Sequence, residues 1–317
     1  MTHEQKIKTL LVITGPTASG KTAAAIKLAR HYKTVIVSAD SRQFYQEMSI
    51  GTAKPTDEEL AATKHYFINS HSITQNFTAG NYEKQCLDLL NELFQAHDVV
   101  ILAGGSGLFI KAACEGFDEF PNVKAGLRDK LNQELNEKGV GFLQEKLKIA
   151  DPDYYAQVDL NNPQRIVRAL EIFETTGKPF SSFRKSSLNK RPFSVIKLGL
   201  SLPREILYQR INHRVNDMVK LGLVEEAKSL LPYRHSNALN TVGYSELFDY
   251  FDGKTDLPTA IELIKQNTRR FAKRQLTWFG KDKEILWFNA DKFISDFGFS
   301  IPDVLSLYIN HDPGIKK

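Results

Sequence analysis

The chain has 317 residues, of which 42% are hydrophobic and 25% are charged, and its formal net charge at pH 7 is +5. These proportions are ordinary for a globular protein and exclude a low-complexity chain. The length fits one large domain or two modest ones. No apolar run is long enough to span a bilayer, and the opening residues MTHEQKIK carry no signal-peptide pattern. The sequence therefore predicts a cytoplasmic protein with no membrane partner.

The two cysteines, Cys86 and Cys114, lie far apart, each within an apolar or helical stretch. There is no Cys-x-x-Cys pair and no cysteine–histidine cluster, so neither a disulfide framework nor a zinc site is predicted. We expect both thiols to be reduced and buried.

The first predicted elements form the setting of a phosphate-binding loop. A strand is predicted at 7–14 and a helix at 21–32. Between them lies GPTASGKT, which matches G-x-x-x-x-G-K-[ST] in the strand–loop–helix context that this pattern requires. Converging N–H groups and a helix N-terminus favour an anion there, with an ammonium for its oxygens and a hydroxyl for Mg²⁺. The predicted phosphate-binding residues are Gly15, Pro16, Thr17, Ala18, Ser19, Gly20, Lys21 and Thr22, of which Thr22 is the predicted Mg²⁺ ligand.

A second strand, rich in β-branched residues, is predicted at 34–39. The order strand–helix–strand implies a parallel pair and hence an α/β sheet. The strand runs into Asp40, the first residue of DSRQFY. Functional groups of parallel sheets gather at the carboxyl ends of strands, so Asp40 is predicted to face the phosphates or an acceptor. The alternative is that Asp40 caps the next helix.

A helix at 81–95 and a strand at 98–103 follow, and the strand runs into a second glycine turn, Gly104-Gly105-Ser106-Gly107. This turn could bind an anion or could be only a tight connection. Motor and switch ATPases usually end such a strand in an acidic residue that helps to hold Mg²⁺. Because this strand lacks one, the sequence favours a small-molecule kinase-like site or another use of the loop.

The middle of the chain reads as helices at 122–138, 141–149 and 163–176, with no strand signal until 193–200. This pattern predicts an α/β core at 1–116 and 193–317 with a helical insertion at 117–192. Arg165 and Arg168 share one helix face because they are three residues apart. Further cations in the insertion are Arg128, Lys178, Arg184, Lys185, Lys190 and Arg191. They predict either a polyanion-binding face or an ordinary solvated surface.

The last third contains a helix that starts at Pro203 and carries Arg210 and Arg214, either of which could reach the phosphate loop. A helix at 260–279 follows, and a short strand is predicted at 284–288. Clustered cations with aromatic rings are typical of contacts with a nucleic-acid backbone. The candidate residues are Lys265, Arg269, Arg270, Lys273 and Arg274, with Tyr244 and Trp278 as stacking rings.

Eight segments of the chain occur in the order found in bacterial tRNA dimethylallyltransferases, also called tRNA isopentenyltransferases. They are GPTASGKT, DSRQFY, GTAKP, GGSGLFIKA, NNPQRIVRALEIFETTGKP, RVNDMVKLGLVE, VGYSE and TRRFAKRQLTWF. The chain resembles this family over roughly residues 8–290. It departs from the family's usual GGTGLY at Ser106, which keeps the hydroxyl, and at Phe109, which loses a phenol.

The resemblance implies a reaction in which the dimethylallyl group of dimethylallyl diphosphate moves to the exocyclic N6 amine of an adenosine. That adenosine lies just 3′ of the anticodon in tRNAs that read codons starting with U, and diphosphate leaves. The phosphate loop would then hold diphosphate rather than ATP, which accounts for the missing acidic residue. The resemblance also implies Mg²⁺ as cofactor, the anticodon stem-loop of tRNA as partner, and a monomer.

The chemistry of this reaction suggests roles for particular residues. Lys21, the loop amides, Thr22 with Mg²⁺, and Arg214 would stabilise charge on the departing diphosphate. Asp40 would act as the general base for the amine, so the expected catalytic residues are Asp40, Thr22 and Arg214. The expected tRNA contacts are Asp40, Ser41, Arg42, Gln43, Ser106, Arg128, Gln164, Arg165, Ile166, Val167, Arg168, Arg269, Lys273 and Arg274.

Three other functions remain open from the residues alone. A small-molecule kinase would use the same loop with ATP, and an adenylate isopentenyltransferase would modify free nucleotides. An enzyme that modifies a free nucleotide does not need the helical insertion or the basic helix at 260–279 to bind its substrate. A non-enzymatic RNA-binding module would leave the phosphate loop and Asp40 without a role.

Overall fold

The structure, a computed structural model, describes residues 7–75, 77–118, 120–184 and 190–296. Within these residues six strands form one sheet in the order β3-β2-β4-β1-β5-β6, and all paired neighbours are parallel. The strands are β1 Thr9–Thr14, β2 Ile36–Ser38, β3 His65–Tyr66, β4 Val99–Ala103, β5 Ser194–Ser201 and β6 Ile285–Asn289. The predicted parallel α/β sheet is therefore confirmed.

The strand predictions differ from the structure in one respect. Five strands lie within two residues of their predicted bounds, but the two-residue β3 was not predicted as a strand. The sequence indicated only a possible extended stretch at 66–73. So short a strand carries almost no periodic signal, because alternation needs several residues to be visible.

Helices flank the sheet in the first of two compact units, which contains the described residues up to Cys114 and from Arg191 onwards. Its helices are α1 Lys21–His31, α2 Asp57–Ala62, α3 Ala79–Ala96, α4 Gly107–Cys114, α8 Arg204–Lys220, α9 Leu223–Ser229, α10 Tyr244–Phe251, α11 Leu257–Phe279 and α12 Ala290–Asp296. The second unit runs from Glu115 to Lys190, within two residues of the predicted insertion bounds. Its α-helices are α5 Leu127–Ala150, α6 Pro152–Tyr155 and α7 Pro163–Thr176.

The core of the first unit explains why the centre of β1, residues 10–13, is an apolar run. All six residues of β1 are buried, as expected for a central strand of a parallel sheet that is covered on both faces. Ala24, Ala25 and Leu28 of α1 pack into the same apolar cluster as Leu11 and Ile13 of β1. The small alanines allow α1 to pack closely against the sheet, which fixes where the phosphate loop before it must lie.

The second unit has its own apolar core, in which Leu131, Leu143 and Leu147 of α5 pack with Ile166 and Leu170 of α7. The sequence predicted two helices where α5 runs, and its backbone is indeed non-helical at Gly139. The first of them starts at Leu127 rather than at residue 122. The described residues of this unit contain helices and no strand.

The sheet order places three functional segments side by side. Strand β4 pairs with β1 and β2, so that Ala103 lies opposite both Ile13 and Ser38. The phosphate loop, the segment from Asp40 and the second glycine turn therefore leave the sheet from neighbouring strand ends. This is the edge at which ligands of open α/β sheets bind.

Candidate active site

The phosphate loop has the geometry expected of an anion cradle. Gly15 has φ +143° and passes so close to β5 that a Cβ there would lie 2.4 Å from the carbonyl oxygen of Leu200. Only glycine fits this position. Helix α1 starts at Lys21, so the N–H groups of its first turn have no intrahelical acceptor and are directed at the loop. The buried hydroxyl of Ser19 has no hydrogen-bond partner among the described residues.

Within the part of the chain that the structure describes, two cationic side chains contact this loop, one from the loop itself and one from α8. The Lys21 amine donates to the carbonyl oxygen of Pro16 at 2.7 Å. Nη1 of Arg214, on α8, donates to the hydroxyl of Thr17 at 3.2 Å. Arg210, one turn earlier on α8, instead pairs with Asp291 at 2.6 Å. The sequence proposed both arginines as candidates for this loop, and only Arg214 contacts it.

Asp40, Lys21 and Arg214 lie close enough to influence one another electrostatically. Burial, and next the charge of Arg214, lower the pKa of the Lys21 amine to about 8, against an opposing effect of the Asp40 carboxylate. Burial also lowers the pKa of the Arg214 guanidinium from its usual value, and Asp40 again opposes the change. Two desolvated cations beside one carboxylate favour the entry of a further anion.

The segment from Asp40 is fixed by hydrogen bonds that leave its functional groups accessible. The Asp40 Oδ1 accepts the backbone N–H of Arg42 at 2.9 Å, so Asp40 organises a turn rather than capping a helix. The Ser106 hydroxyl accepts the N–H of Ser41 at 2.9 Å, which joins this segment to the second glycine turn. Nε2 of Gln43 donates to the carbonyls of 52 and 53 at 3.2 and 3.0 Å.

A cavity of about 510 Å³, here called the main cavity, opens beside these groups. Its volume is in the range of small-molecule sites. Part of the lining is polar or charged and part is apolar, so it can accommodate a ligand with an anionic end and a hydrocarbon end. The polar lining includes Thr17, Asp40, Ser41, Arg42, Ser106, Arg214 and Arg274, and the apolar lining includes Val215, Met218, Leu223, Val242, Ile264 and Phe271.

A second cavity, of about 50 Å³, is called the small cavity, and Asp40 lines it as well as the main cavity. Its polar lining includes the side chains of Lys21, Thr22, Asp40 and Gln43. Within the described ranges there is no group of three or more His, Cys, Asp or Glu residues that could hold a metal ion. A cation here would therefore take few ligands from the protein.

Gln275 was missed by the sequence analysis although it lies at the centre of the site. This residue of α11 is buried, and its Oε1 accepts the N–H of Thr17 at 2.8 Å. Its Nε2 donates to the carbonyl oxygen of Gly105 at 2.8 Å. One side chain thus joins the phosphate loop to the second glycine turn. The only signal in the sequence was an uncharged residue within a basic run.

The basic helix α11 presents some of the predicted cations and not others. Lys273 and Arg274 are exposed, and Arg274 lines the main cavity. Arg269 is half-buried and donates to Oδ1 of Asn212 at 2.6 Å. Lys265 pairs with Glu262 at 2.7 Å.

The two candidate stacking rings have opposite surroundings. The Trp278 side chain on α11 is 43% exposed, whereas Tyr244 is fully buried and donates its hydroxyl to Glu226. The prediction that Tyr244 stacks on a base is therefore wrong, because its ring is packed inside the protein. Phe109, for which no polar role was predicted, is buried against Phe44 and Tyr82.

In the second unit, Glu171 organises the predicted basic face. Its carboxylate is almost fully buried and pairs with Arg128 at 2.6 Å and with Arg168 at 3.3 Å. Gln164 and Arg165 are exposed at the start of α7. The guanidinium groups therefore have fixed positions while part of each stays accessible.

Ile166 and Val167 are both fully buried in the core of the second unit. The expectation that they contact tRNA is wrong for their side chains. They follow the two exposed residues of the same motif because α7 turns one face inward. Their role is to hold α7 in place.

No helix within the described residues is long and apolar enough to cross a membrane.

Residues 43–282 match the protein family described as IPP transferase. The chain is 56% identical over 283 residues to the tRNA dimethylallyltransferase of Christiangramia forsetii, covering 89% of this chain and 94% of the relative. It is 51% identical over 289 residues to the enzyme of the same name from Flavobacterium johnsoniae, with 89% and 94% covered.

Two solved structures are also similar. The full-length tRNA isopentenylpyrophosphate transferase of Bacillus halodurans is 34% identical with a TM-score of 0.70, covering 96% of this chain and 98% of that one. A eukaryotic dimethylallyltransferase, described as acting on tRNA, is 25% identical with a TM-score of 0.77 and coverage of 98% and 81%.

Proposed function

Because the chain belongs to the IPP transferase family of tRNA dimethylallyltransferases, we propose that the main cavity is where it transfers a dimethylallyl group to an adenosine of tRNA. The observation that carries this proposal is the convergence of the phosphate loop, Asp40 and Arg214 on one cavity that also has an apolar lining. The donor is dimethylallyl diphosphate. The acceptor is the N6 amine of the adenosine just 3′ of the anticodon, in tRNAs that read codons starting with U.

The diphosphate of the donor binds at the phosphate loop, residues 15–22. The loop N–H groups, Lys21 and Arg214 supply hydrogen bonds and positive charge, and the Ser19 hydroxyl gains an acceptor. The dimethylallyl tail packs among the apolar residues of the main cavity, which include Val215, Met218 and Leu223. This arrangement presents the allylic carbon to the acceptor.

The donors in the small cavity fit Mg²⁺. The Thr22 hydroxyl and nearby carboxylate and amide oxygens are hard oxygen ligands, and a site with few protein ligands suits an ion that keeps several waters and binds substrate phosphates. Thr22 would hold the ion directly. When bound, Mg²⁺ neutralises negative charge on the diphosphate.

The acceptor base leaves the anticodon stack to enter the cavity. Asp40 lies within the polar lining, and its Oδ2 is not engaged by the turn that Oδ1 stabilises. As the bond between the allylic carbon and the diphosphate oxygen breaks, the bond from N6 to that carbon forms. The displaced N6 proton passes to Asp40, and diphosphate carries away the bonding electron pair. Lys21 and Arg214 stabilise the leaving group.

The tRNA backbone and loop bind to exposed cations and polar groups of both units. Ser41, Arg42 and Ser106 of the main cavity surround the acceptor, with Gln43 of the small cavity next to them in sequence. Arg274 offers charge at the main cavity, and the exposed Lys273 adds charge on the same helix. Arg269 supports that surface through Asn212. In the second unit Arg128, Gln164, Arg165 and Arg168 meet the anticodon arm. In this proposal the protein acts as a monomer in the cytoplasm.

The test is mass spectrometry of nucleosides from unmodified tRNA after incubation with the protein, Mg²⁺ and dimethylallyl diphosphate. A parallel reaction contains free AMP as acceptor. We expect prenylated adenosine from the tRNA and none from AMP. Prenylated AMP would instead indicate an adenylate isopentenyltransferase, and ATP turnover without prenyl transfer would indicate a kinase.

A further inference from the structure

The carboxylate of Glu226, on α9, accepts four hydrogen bonds from groups that are distant in sequence. Its Oε2 accepts the backbone N–H groups of Ser49 at 3.0 Å and Ile50 at 2.8 Å. Its Oε1 accepts the N–H of Gly51 at 2.9 Å and the hydroxyl of Tyr244 at 2.7 Å. A carboxylate offers about four acceptor positions, so this group is fully used.

The residues held in this way belong to a wall of the main cavity. Gly51, Thr52 and Ala53 line it together with Asp40 and Arg42. Residues 49–53 are called here the wall loop. Glu226 itself does not line the cavity, so any effect that it has on a ligand passes through the groups it holds, of which the wall loop lines the cavity.

The wall loop is held from two sides. Glu226 binds its N–H groups, and Gln43, three residues after Asp40, binds the carbonyl oxygens of Thr52 and Ala53 at 3.2 and 3.0 Å. The shape of the loop is therefore tied to the segment that carries the proposed base. Hydrogen bonds thus connect Glu226 to the segment of Asp40 through the wall loop and the side chain of Gln43.

Tyr244 completes the arrangement by packing against the same loop. A Cβ on Gly51 would lie 2.6 Å from the Tyr244 ring, so only glycine allows this approach. Burial, and next the negative charge of Glu226, raise the pKa of the Tyr244 phenol far above its usual value, so it remains a neutral donor. The four donors around Glu226 thus match a carboxylate and no neutral side chain.

We propose that Glu226 is a positioning residue for prenyl transfer, whose carboxylate holds the wall loop in the shape that receives the acceptor adenosine. The proposal rests on the proposed function, which assigns the main cavity to this reaction. An amide cannot replace the carboxylate, because one of its two terminal groups would direct N–H donors at the N–H donors of the loop.

The test compares Glu226→Gln with Glu225→Gln, an exposed neighbour that undergoes the same change of charge. Steady-state kinetics give kcat/KM for tRNA and KM for dimethylallyl diphosphate. Hydrogen–deuterium exchange measures the protection of residues 49–51. In Glu226→Gln we expect faster exchange in the wall loop and a loss of roughly 10- to 100-fold in kcat/KM for tRNA. KM for dimethylallyl diphosphate should change less than about twofold, because the phosphate loop is held by other contacts.

Glu225→Gln should behave like the wild type in every assay. If Glu226→Gln does not fold, Tyr244→Phe takes its place, since it removes one of the four hydrogen bonds and keeps the ring. That variant should show a smaller loss in the same direction.

Three results would overturn the proposal. One is faster exchange in the wall loop with unchanged kcat/KM for tRNA. The second is a change by the same factor in kcat/KM for tRNA and in KM for dimethylallyl diphosphate in Glu226→Gln. The third is a loss in Glu225→Gln as large as that in Glu226→Gln. None of these bears on whether the main cavity is the reaction site, because that assignment is tested separately at Asp40.

Discussion

The side-chain oxygen of Gln275 accepts the backbone N–H of Thr17 at 2.8 Å, across 258 positions of sequence. The same amide donates to Gly105, so its orientation is fixed. It follows that one N–H of the phosphate loop is directed at α11 rather than at the ligand. This contact ties the loop, where we propose that the diphosphate binds, to the proposed tRNA-binding helix.

Replacement of Gln275 by Glu should weaken binding of dimethylallyl diphosphate. The new carboxylate can still accept the N–H of Thr17, but it cannot donate to Gly105. One carboxylate oxygen then faces the carbonyl oxygen of Gly105 at a buried position. Leaving a buried polar group unsatisfied costs about 1–3 kcal/mol, so we expect kcat/KM for the diphosphate to fall roughly 5- to 150-fold. Steady-state kinetics measure it. Gln266→Glu, at an exposed position of the same helix, is the control and should have little effect.

Replacement of Arg214 by Ala should remove positive charge from the leaving group. We expect kcat/KM for dimethylallyl diphosphate to fall by about 10²–10³, as for the loss of one donor to a developing anion. Arg210→Ala is the matched control, since it lies one turn away on α8 and loses only an exposed pair with Asp291 worth about 0–1 kcal/mol. Similar losses in the two variants would show that Arg214 has no special role.

Binding of diphosphate should weaken as the pH rises through about 8, because that is the pKa to which Lys21 is lowered. Below this pH the amine is charged and attracts the anion, and above it the charge is lost. Affinity for inorganic diphosphate should then fall by up to about tenfold per pH unit. Calorimetry without Mg²⁺ between pH 7 and 9.5 measures it. Lys21→Arg stays charged and should not show this fall, so identical pH profiles would refute the assignment.

Arg165 and Ile166 are neighbours in one motif, but replacing them should affect different properties, tRNA binding for Arg165 and stability for Ile166. Arg165→Ala should leave thermal stability unchanged, weaken tRNA binding and reduce the dependence of log K on log salt by about 1. Ile166→Ala should lower the free energy of unfolding by about 2–5 kcal/mol, because it leaves a cavity in the core of the second unit. Thermal unfolding and tRNA binding at several salt concentrations measure both. Unchanged tRNA affinity in Arg165→Ala would remove this residue from the interface.

The parts of the fold that the sequence predicted depend on local signals. The strands beside the phosphate loop are apolar runs, and the loop itself is a contiguous motif in its required context. Asp40 was identified because the end of a strand is visible in the sequence. Their convergence follows from parallel topology alone.

The features that the sequence did not predict depend on packing between segments that are distant in sequence. The periodicity of α8 cannot tell whether Arg210 or Arg214 faces the loop, since that depends on how α8 sits on the core. In the sequence, Tyr244 and Trp278 are both aromatic residues near cations. Only the structure shows that Tyr244 is buried and that Trp278 is exposed. Gln275 accepts from Thr17, and Glu226 accepts from Ser49, Ile50 and Gly51, at separations of 175 or more positions, so no local pattern reveals these contacts.

The measurement that tests the central claim most directly is the single-turnover rate of prenyl transfer to tRNA in Asp40→Asn. Asparagine keeps an oxygen that can accept from Arg42, so the turn survives while the base is lost. With saturating tRNA, dimethylallyl diphosphate and Mg²⁺, we expect the rate to fall by about 10²–10⁴. Asp57→Asn, at an exposed position in α2, should match the wild type. A wild-type rate in Asp40→Asn would contradict the assignment of Asp40 as the base and of the main cavity as the reaction site.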